Sequence, residues 1–304
     1  MAKLIQTLAT GLQLGSVYAL VALGYTMVYG IIKLINFAHG DLIMVGGYTL
    51  LYTIPMIASM GLSPWIAVVF AVVVCVMIGV LTELLAYRPV RRRGTGMTAL
   101  ITAMAMSLIL QNLAQYLLYM THTMYGATVK SIFPQGSISI TLGHQKLSLS
   151  LATLCTIGIS CGIMIALQFM VRRTALGRAM RAVSEDKEAS SLMGIGVNRI
   201  ILVTFVIGSA LAGIASAMWF SIYPSTSPGI GSALGLFAFV SAVLGGIGSI
   251  PGAVVGGFVI GIVYSFTTSY ISSGMSDAVV FLMLIMVLLF MPAGLLGKEM
   301  KEKV

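Results

Sequence analysis

The amino-acid sequence predicts an all-α, polytopic integral membrane protein, and three observations lead to that fold class. Of the 304 residues, 59% are hydrophobic and only 8% are charged, whereas about a quarter of the residues of a soluble globular domain are charged. The apolar residues form runs of the roughly 20 residues that a helix needs to span a bilayer. Basic residues collect between the runs, so we interpret the net charge of +9 as the excess of Lys and Arg in the cytoplasmic loops of a protein that borders lipid. We predict no nucleic-acid partner.

Nine apolar runs are candidate transmembrane helices. In chain order they cover residues 4–32, 38–58, 64–87, 98–120, 147–171, 200–222, 231–249, 252–270 and 277–296. The first run continues without a cleavage-site pattern, so we interpret it as a retained helix and not as a signal peptide. We favour about eight spans, in which residues 4–58 make one net crossing and the N-terminus lies inside. Nine full crossings would place the N-terminus outside.

The basic segments predict which connections face the cytoplasm. Of the 17 Lys and Arg residues, four lie in RPVRRR, six lie between 172 and 199, and three lie in the C-terminal KEMKEKV. Because Lys and Arg accumulate on the cytoplasmic side, residues 88–97, 172–199 and 298–304 are predicted to be cytoplasmic, and the C-terminus with them. One span separates residues 121–146 from each neighbouring basic segment, so they are predicted to form an external, periplasmic loop. The whole chain, 1–304, is predicted to be a single transmembrane domain.

Polar residues interrupt the apolar sequence at INFAHGDL, which contains Asn36, Phe37, His39, Gly40 and Asp41. Irregular backbone at membrane depth is tolerated where protein or a water-filled cavity surrounds it, and in transporters such breaks point helix N-termini at the substrate. We therefore predict a broken helix near 36–41, in which Asn36 or Asp41 caps the helix that follows. The alternative is a short interfacial turn whose polar side chains are solvated.

A second interruption occurs at LGGIGSIPGAVVGGF. Ser249 precedes Pro251 as an N-cap precedes a first-turn proline, which predicts a broken helix near 248–252 with free backbone N–H groups at Gly252. Two Gly-interrupted apolar segments, one in each half of a chain, are typical of a binding site near the bilayer midplane. The alternative is that these glycines serve close helix packing.

The segment RRTALGRAMRAVSEDKEASSLMGIGVNR, residues 172–199, is predicted to contain two short helices that are broken near Ser184, with Ser184 as an N-cap. An ordered segment of this length between spans indicates a contact with a cytoplasmic partner, and the alternative is a solvated charged loop. The residues predicted to make the contact are Ala175, Gly177, Arg178, Arg181, Glu185 and Asp186.

The sequence contains no motif of an enzyme. Cys75, Cys155 and Cys161 lie singly in apolar runs, which is typical of small packing residues. There is no P-loop, zinc-protease, nucleophile-elbow or dinucleotide-binding motif. We therefore predict no catalytic residue, no metal site and no cofactor in this chain, and ATP-driven transport would need another chain to hydrolyse the ATP.

Four motifs together resemble a known family. They are ALVALGYTMVYGIIKLINFAHGDLIMVGGY, GRAMRAVSEDKEASSLMGIGVNRIILVTFVIGSALAGIA, VLGGIGSIPGAVVGGFVIG and LLFMPAGLLG. In sequence and order they are similar to the LivH-type permeases of bacterial high-affinity branched-chain amino acid ABC importers, and the similarity covers nearly the whole chain.

The resemblance implies a permease domain of the bacterial inner membrane that transports leucine, isoleucine or valine by alternating access. It also implies a second, LivM-type permease, two cytoplasmic ATPases that use ATP and magnesium, and a periplasmic substrate-binding protein. The helix starts near Asn36–Asp41 and near Ser249–Gly252 would meet the substrate carboxylate, and residues 174–193 would seat on an ATPase.

Other functions remain open from the sequence. The same family includes permeases for urea and short-chain amides with similar motifs. A different class of function is an ion-coupled secondary transporter that works alone, with Asp41 or Asp277 as its ion site. A membrane scaffold without transport is disfavoured by the two polar interruptions.

Overall fold

The computed structural model describes residues 2–34, 36–93, 96–124, 126–133, 136–142 and 145–297. Among these residues, eight helices are long and apolar enough to cross a membrane. They are Lys3–Ile32, Ala38–Ser59, Trp65–Arg91, Met97–Met120, Leu151–Arg173, Val197–Ile222, Ile250–Tyr270 and Ser273–Phe290. The polytopic all-α fold class is thus confirmed. The C-terminal segment 298–304, predicted to be cytoplasmic, lies outside the described residues.

The helices are named in chain order. They are α1 (Ala2–Ile32), α2 (Ala38–Ser59), α3 (Trp65–Leu81), α4 (Arg88–Arg93), α5 (Gly96–Met120), α6 (Leu151–Arg173), α7 (Ala175–Glu185), α8 (Lys187–Leu192), α9 (Val197–Ile222), α10 (Ile230–Gly245), α11 (Ile250–Tyr270) and α12 (Ser276–Phe290). A π-helical segment, Thr82–Tyr87, joins α3 to α4, and a 3-10 turn, Ser273–Met275, precedes α12.

The number of long helices, eight, agrees with the favoured prediction, but the short ninth element is not where we expected it. We expected residues 4–58 to make one net crossing, but α1 and α2 are each long enough to cross. The short element is α10, whose 16 residues fall below the roughly 20 that a span needs. Gly245 and Gly246 end it early, and Gly246 has a left-handed φ of 102°.

Two strands lie in the loop that was predicted to be external. Ser137–Leu142 (β1) and Gln145–Ser150 (β2) pair antiparallel, with Ser137 opposite Ser150. The first strand alternates serine or threonine with isoleucine or leucine, the period of two that favours a strand. Consequently α6 begins at Leu151, later than the predicted start of that span at residue 147.

The described chain divides into two compact units. The first contains described residues of 1–26, 135–168 and 237–304, and glycines bring its helices together. A Cβ on Gly15 would lie 2.7 Å from the Phe258 Cα atom, and one on Gly257 would lie 2.5 Å from the Ala19 Cα atom. The chain after α12 also joins this unit, since the Leu295 N–H donates to the Leu244 carbonyl oxygen at 2.8 Å.

The second unit contains described residues of 27–134 and 169–236. Its core is the mutual packing of α2, α3 and α9. Small residues allow the approach: a Cβ on Gly213 would lie 2.9 Å from the Val72 Cα atom, and a Cβ on Gly79 would clash with the Ser209 side chain. On the other side of α2, helix α5 packs through Leu110, Ala114 and Leu118.

Candidate functional site

The first interruption separates α1 from α2 by a tight turn in the second unit. Lys33 adopts a left-handed φ of 62°, and the His39 N–H donates to the Asn36 carbonyl oxygen at 3.0 Å. The N-cap of α2 is Phe37, which makes no side-chain cap hydrogen bond. The prediction that Asn36 or Asp41 caps this helix was therefore wrong, because both side chains are engaged elsewhere.

The predicted residues of this interruption are mostly buried. The Tyr87 hydroxyl donates to Asn36 Oδ1 at 2.7 Å, and Asn36, His39 and Asp41 are 4%, 2% and 0% exposed. Gly40 is also buried, while Phe37 is half-buried. A solvated interfacial turn accounts for the exposed Lys33 but not for a fully buried imidazole and carboxylate.

Asp41 lies at the level of the middle of two long helices. The Cys75 thiol in α3 donates to the Leu42 carbonyl oxygen at 3.2 Å, and the Gln111 amide in α5 donates to Asp41 Oδ1 at 3.1 Å. Both partners lie more than two helical turns from either end of their apolar helices. The first turn of α2 thus packs against the middle parts of these two helices, and Asp41 lies away from the ends of both.

Asp41 belongs to a cluster of polar side chains from three helices. The Gln111 amide nitrogen contacts Ser107 Oγ at 3.0 Å and Ser232 Oγ at 2.6 Å in addition to the carboxylate. The Ser232 hydroxyl donates weakly to Asp41 Oδ1, at 3.5 Å. Asp41 Oδ2 has no hydrogen-bond partner among the described residues. An ionised carboxylate at a bilayer centre costs about 2.5–3.5 kcal/mol on insertion scales, and the hydrogen bonds of this cluster act against a cost of that kind.

Glycines allow the first turn of α10 to cover the carboxylate. A Cβ on Gly231 would lie 2.7 Å from the Asp41 Cα atom and 2.9 Å from Asp41 Oδ1, and a Cβ on Gly40 would lie 2.6 Å from the Gly235 Cα atom. Larger residues at these positions would separate α2 from α10. The close approach is what places Ser232 beside Asp41.

The cluster reaches an open face that sequence reasoning missed. Ser232 is exposed, Ser107 and Gln111 are half-buried, and Gln115 is exposed one turn further along α5. Ser107, Gln111 and Gln115 are spaced four residues apart, so they lie on one face of the helix. Three polar residues at this spacing inside an apolar run were the signal that could have identified the face.

The second interruption lies in the first unit. The Ser249 hydroxyl oxygen accepts a hydrogen bond from the Gly252 N–H at 3.2 Å, and Pro251 lies in the first turn of α11. The prediction of a serine-capped, proline-started helix is confirmed. Gly252 is buried, and it lies so close to the Gly245 carbonyl oxygen that a Cβ at this position would clash with it. The Gly252 N–H is therefore already used by Ser249, and the glycines here serve packing.

The segment 172–199 forms the two short helices that were predicted, but the caps differ. Helices α7 and α8 break at Asp186, whose carboxylate accepts from the Glu188 and Ala189 N–H groups at 2.8 and 2.9 Å. Ser184 instead donates to the Arg181 carbonyl oxygen. An aspartate at this position satisfies two N–H groups of the following helix, so it is the N-cap.

The predicted contact residues divide between two sides of α7. Gly177 is buried, and a Cβ there would lie 2.6 Å from the Met170 carbonyl oxygen and closer still to that of Val171. Gly177 therefore allows α7 to fold back on the end of α6 and is not available to a partner. The other predicted side chains are exposed, and two exposed apolar side chains at the end of α8 were missed, with Leu192 89% and Met193 83% exposed. The exposed predicted residues are Ala175, Arg178, Arg181, Glu185 and Asp186, and Ala179 is half-buried.

Charged groups link this segment to neighbouring helix ends. Arg91 forms a bidentate ion pair with the buried Glu83, at 2.8 and 3.2 Å, and contacts Asn198 Oδ1 at 3.4 Å. The Lys187 ammonium donates to the Ile32 carbonyl oxygen at 3.2 Å. Burial, followed by the positive charges of Arg91 and Lys33, lowers the pKa of Lys187. The end of α1, the end of α4 and the segment 172–199 thus lie at the same end of the second unit.

Comparisons with known proteins agree along nearly the whole chain. The family described as "Branched-chain amino acid transport system / permease component" matches residues 7–288. The chain is 39% identical to the high-affinity branched-chain amino acid transport system permease protein BraD of Pseudomonas aeruginosa, over 99% of this chain and 98% of that protein. It is 41% identical to the corresponding LivH of Escherichia coli, over 99% and 97%. A xylose transport system permease protein, XylH of Escherichia coli, is 36% identical over 28% of this chain and 23% of its own length.

Proposed function

Because the chain belongs to the permease component family of branched-chain amino acid transport systems, we propose that it carries leucine, isoleucine and valine across the inner membrane of a bacterium. The observation that supports this most strongly is the match to permease proteins over 99% of the chain. The chain supplies a path and no chemistry. ATP and magnesium would be used by separate ATPase subunits.

The polar face of α5 supports a path on one side of the second unit. An amide group that faces hydrocarbon without hydrogen-bond partners costs roughly several kcal/mol, so the exposed Gln115 would not face lipid. Its natural neighbour is a water-filled path that a second permease of the LivM type completes. Asp41 lies directly behind this face, whereas the exposed apolar side chains of α3 suit lipid.

The arrangement of α1 supports an orientation. If the basic segment 172–199 is cytoplasmic, as the positive-inside rule predicts, the hydrogen bond of Lys187 to Ile32 puts the end of α1 at the cytoplasmic side. The start of α1, near Lys3, then lies outside, in contrast to the favoured prediction that it lies inside. The C-terminus remains cytoplasmic if α10 and α11 return the chain to the outside before α12.

The exposed side of α7 and α8 is proposed to seat on an ATPase. Arg178 and Arg181 lie on adjacent turns, and the exposed Leu192 and Met193 supply apolar area at the end of α8. Charged residues around an apolar centre are the usual anatomy of a protein interface. Two cytoplasmic ATPases and a periplasmic binding protein that delivers the amino acid complete the proposed importer.

The test is uptake by a reconstituted complex. This chain is co-purified with candidate permease, ATPase and binding-protein partners from the same organism, and uptake of labelled leucine is measured in proteoliposomes. We expect competition by leucine, isoleucine and valine, little by urea or xylose, and loss of uptake with vanadate. Preferential uptake of urea would assign the chain to the amide-transporting branch. Uptake that resists vanadate but disappears with the proton gradient would indicate a secondary transporter.

A further inference from the structure

Three oxygen atoms surround a single nitrogen atom in the polar cluster of the second unit. Gln111 Nε2 lies 3.1 Å from Asp41 Oδ1, 3.0 Å from Ser107 Oγ and 2.6 Å from Ser232 Oγ. An ionised carboxylate oxygen only accepts hydrogen bonds, so the amide nitrogen, and not the amide oxygen, fits the place beside Asp41. All three close polar neighbours of Nε2 can act as acceptors.

This environment fits a different nitrogen better than it fits an amide. A glutamine side chain has two N–H donors for the three acceptors, whereas a primary ammonium group has three. The amide is also neutral, and the Asp41 carboxylate forms no ion pair with any of the described residues. Asp41 is 0% exposed, and its Oδ2 atom has no hydrogen-bond partner there. The cluster thus has one acceptor and one negative charge more than glutamine satisfies.

A small ligand can reach the cluster from the open face. Ser232 is exposed, and Ser107 and Gln111 are half-buried. The Gln111 side chain lies at the edge of the protein, so a change of rotamer moves its amide outward without moving a helix. The vacated place lies beside a carboxylate and two hydroxyl groups.

We propose that Asp41, Ser107 and Ser232 form a subsite for the ammonium group of the transported amino acid, and that the Gln111 amide occupies this place while no substrate is bound. The inference rests on the proposed function for the identity of the ligand. It differs from the prediction that the start of α2 meets the substrate carboxylate, because a buried aspartate in the first turn of α2 repels an anion and attracts a cation. The charge of Asp41 selects the ammonium, and the hydroxyl groups orient it.

The charge preference is tested by cysteine labelling at the edge of the cluster. Ser232→Cys is a conservative change at an exposed position, and its modification is read by peptide mass spectrometry in the purified complex, so the native cysteines remain. The measured quantity is the ratio of two reaction rates, that of a cationic methanethiosulfonate over that of its anionic counterpart. We expect this ratio to be about tenfold higher in Ser232→Cys than in the double variant Ser232→Cys/Asp41→Asn. Ala233→Cys, exposed on the next position of α10, is the matched control and should show a ratio that does not depend on Asp41.

Ligand protection identifies which group occupies the subsite. Leucine and 3-methylbutylamine, which share the ammonium, should slow labelling of Ser232→Cys several-fold. We expect no protection from 4-methylpentanoate, which has the same side chain and a carboxylate but no ammonium, or from sodium chloride at equal ionic strength. Equal protection by 4-methylpentanoate, protection by sodium alone, or a reagent ratio that Asp41→Asn leaves unchanged would each overturn the proposal.

Uptake measured in parallel separates this proposal from the proposed function. If the complex transports leucine but neither ammonium compound protects, the subsite is rejected and the transport role stands. If leucine is not transported but 3-methylbutylamine still protects, the subsite stands and the substrate is a different amine. If leucine is not transported and neither ammonium compound protects, the proposed function and the subsite are both rejected.

The role of Gln111 has its own test. Gln111→Ala removes the internal occupant, so the concentration of 3-methylbutylamine that gives half-protection should fall severalfold. Asn112→Ala is the matched control, because the Asn112 amide donates to the Leu108 carbonyl oxygen of its own helix at 2.7 Å and does not contact the cluster. An unchanged or higher half-protection concentration in Gln111→Ala would show that glutamine is part of the binding site and not its occupant.

Discussion

The ion pair of Glu83 with Arg91 shows how the second unit keeps a charge inside an apolar helix. Glu83 is 1% exposed and the Arg91 side chain 16%, and the guanidinium makes two hydrogen bonds to the carboxylate. A buried pair contributes little compared with a well-packed apolar pair, but removal of one partner leaves an uncompensated charge.

Arg91→Gln should therefore destabilise the protein more than the double variant Glu83→Gln/Arg91→Gln. We expect the single variant to lower the free energy of unfolding by about 3 kcal/mol, the low end for a buried pair, because the buried carboxylate loses its partly exposed counter-charge. The midpoint of thermal unfolding in detergent measures the effect. Arg88→Gln is the control, since Arg88 makes no ion pair among the described residues; equal losses in the single and double variants would contradict the argument.

At the scale of elements, the caps of α7 and α8 determine the shape of segment 172–199. Thr174 Oγ1 accepts from the Gly177 N–H at 3.1 Å, and Asp186 caps α8. Helices as short as α8, with six residues, are marginal without tertiary contacts and caps. The relative direction of the two helices, and with it the exposed surface, depends on these side chains.

Asp186→Ala should loosen α8 and weaken association with the ATPases. Loss of an N-cap costs about 1 kcal/mol, which is enough to fray a helix of this length. Co-purification of the ATPases with the permease, and stimulation of their ATP hydrolysis by the binding protein, are the measurements. Asp186→Asn should restore both, since asparagine is an equally good cap, and Glu185→Ala should change them less; failure of Asn to rescue would assign Asp186 to the interface itself.

Glycines at helix contacts allow a second prediction at the scale of elements. Gly213→Ala should lower the free energy of unfolding by about 1–3 kcal/mol, because the new Cβ meets the Val72 backbone at 2.9 Å and α9 must move away from α3. Gly162→Ala is the matched control, since nothing lies within 4 Å of its Cβ position. The midpoint of thermal unfolding should fall in Gly213→Ala and should rise or change much less in Gly162→Ala. Similar midpoints in the two variants would contradict the packing role of Gly213.

The sequence was sufficient for features with a strong local signal. Hydropathy located eight long helices, the Ser249–Pro251 spacing identified the start of α11, and helix-forming composition identified α7 and α8. It failed where the outcome depends on tertiary contacts. Asn36 bonds to Tyr87 instead of capping α2, Gly177 packs against the end of α6, and Asp41, Gln111 and Ser232 come together only when three helices meet. Spacing along a chain does not reveal such distant partners.

At the scale of the whole molecule, the proposed orientation can be tested by accessibility. In intact spheroplasts, a cysteine at Ser137 should react with an impermeant thiol reagent, whereas one at Ser191 should react only after permeabilisation. Both positions are exposed, so burial does not confound the comparison, and the contrast follows from the distribution of Lys and Arg. The reverse pattern would invert the topology and also place the start of α1 in the cytoplasm.

The π-helical segment Thr82–Tyr87 has a consequence for insertions and deletions. A π turn spans one residue more than an α turn, so such a segment is equivalent to a single inserted residue that the helix has absorbed. Deletion of Ala86 should convert the segment to α-helix and leave the Glu83–Arg91 ion pair intact, because the two residues would then be seven positions apart, about two α turns on one face. A related chain that lacks the insertion would carry its basic partner seven residues after the glutamate.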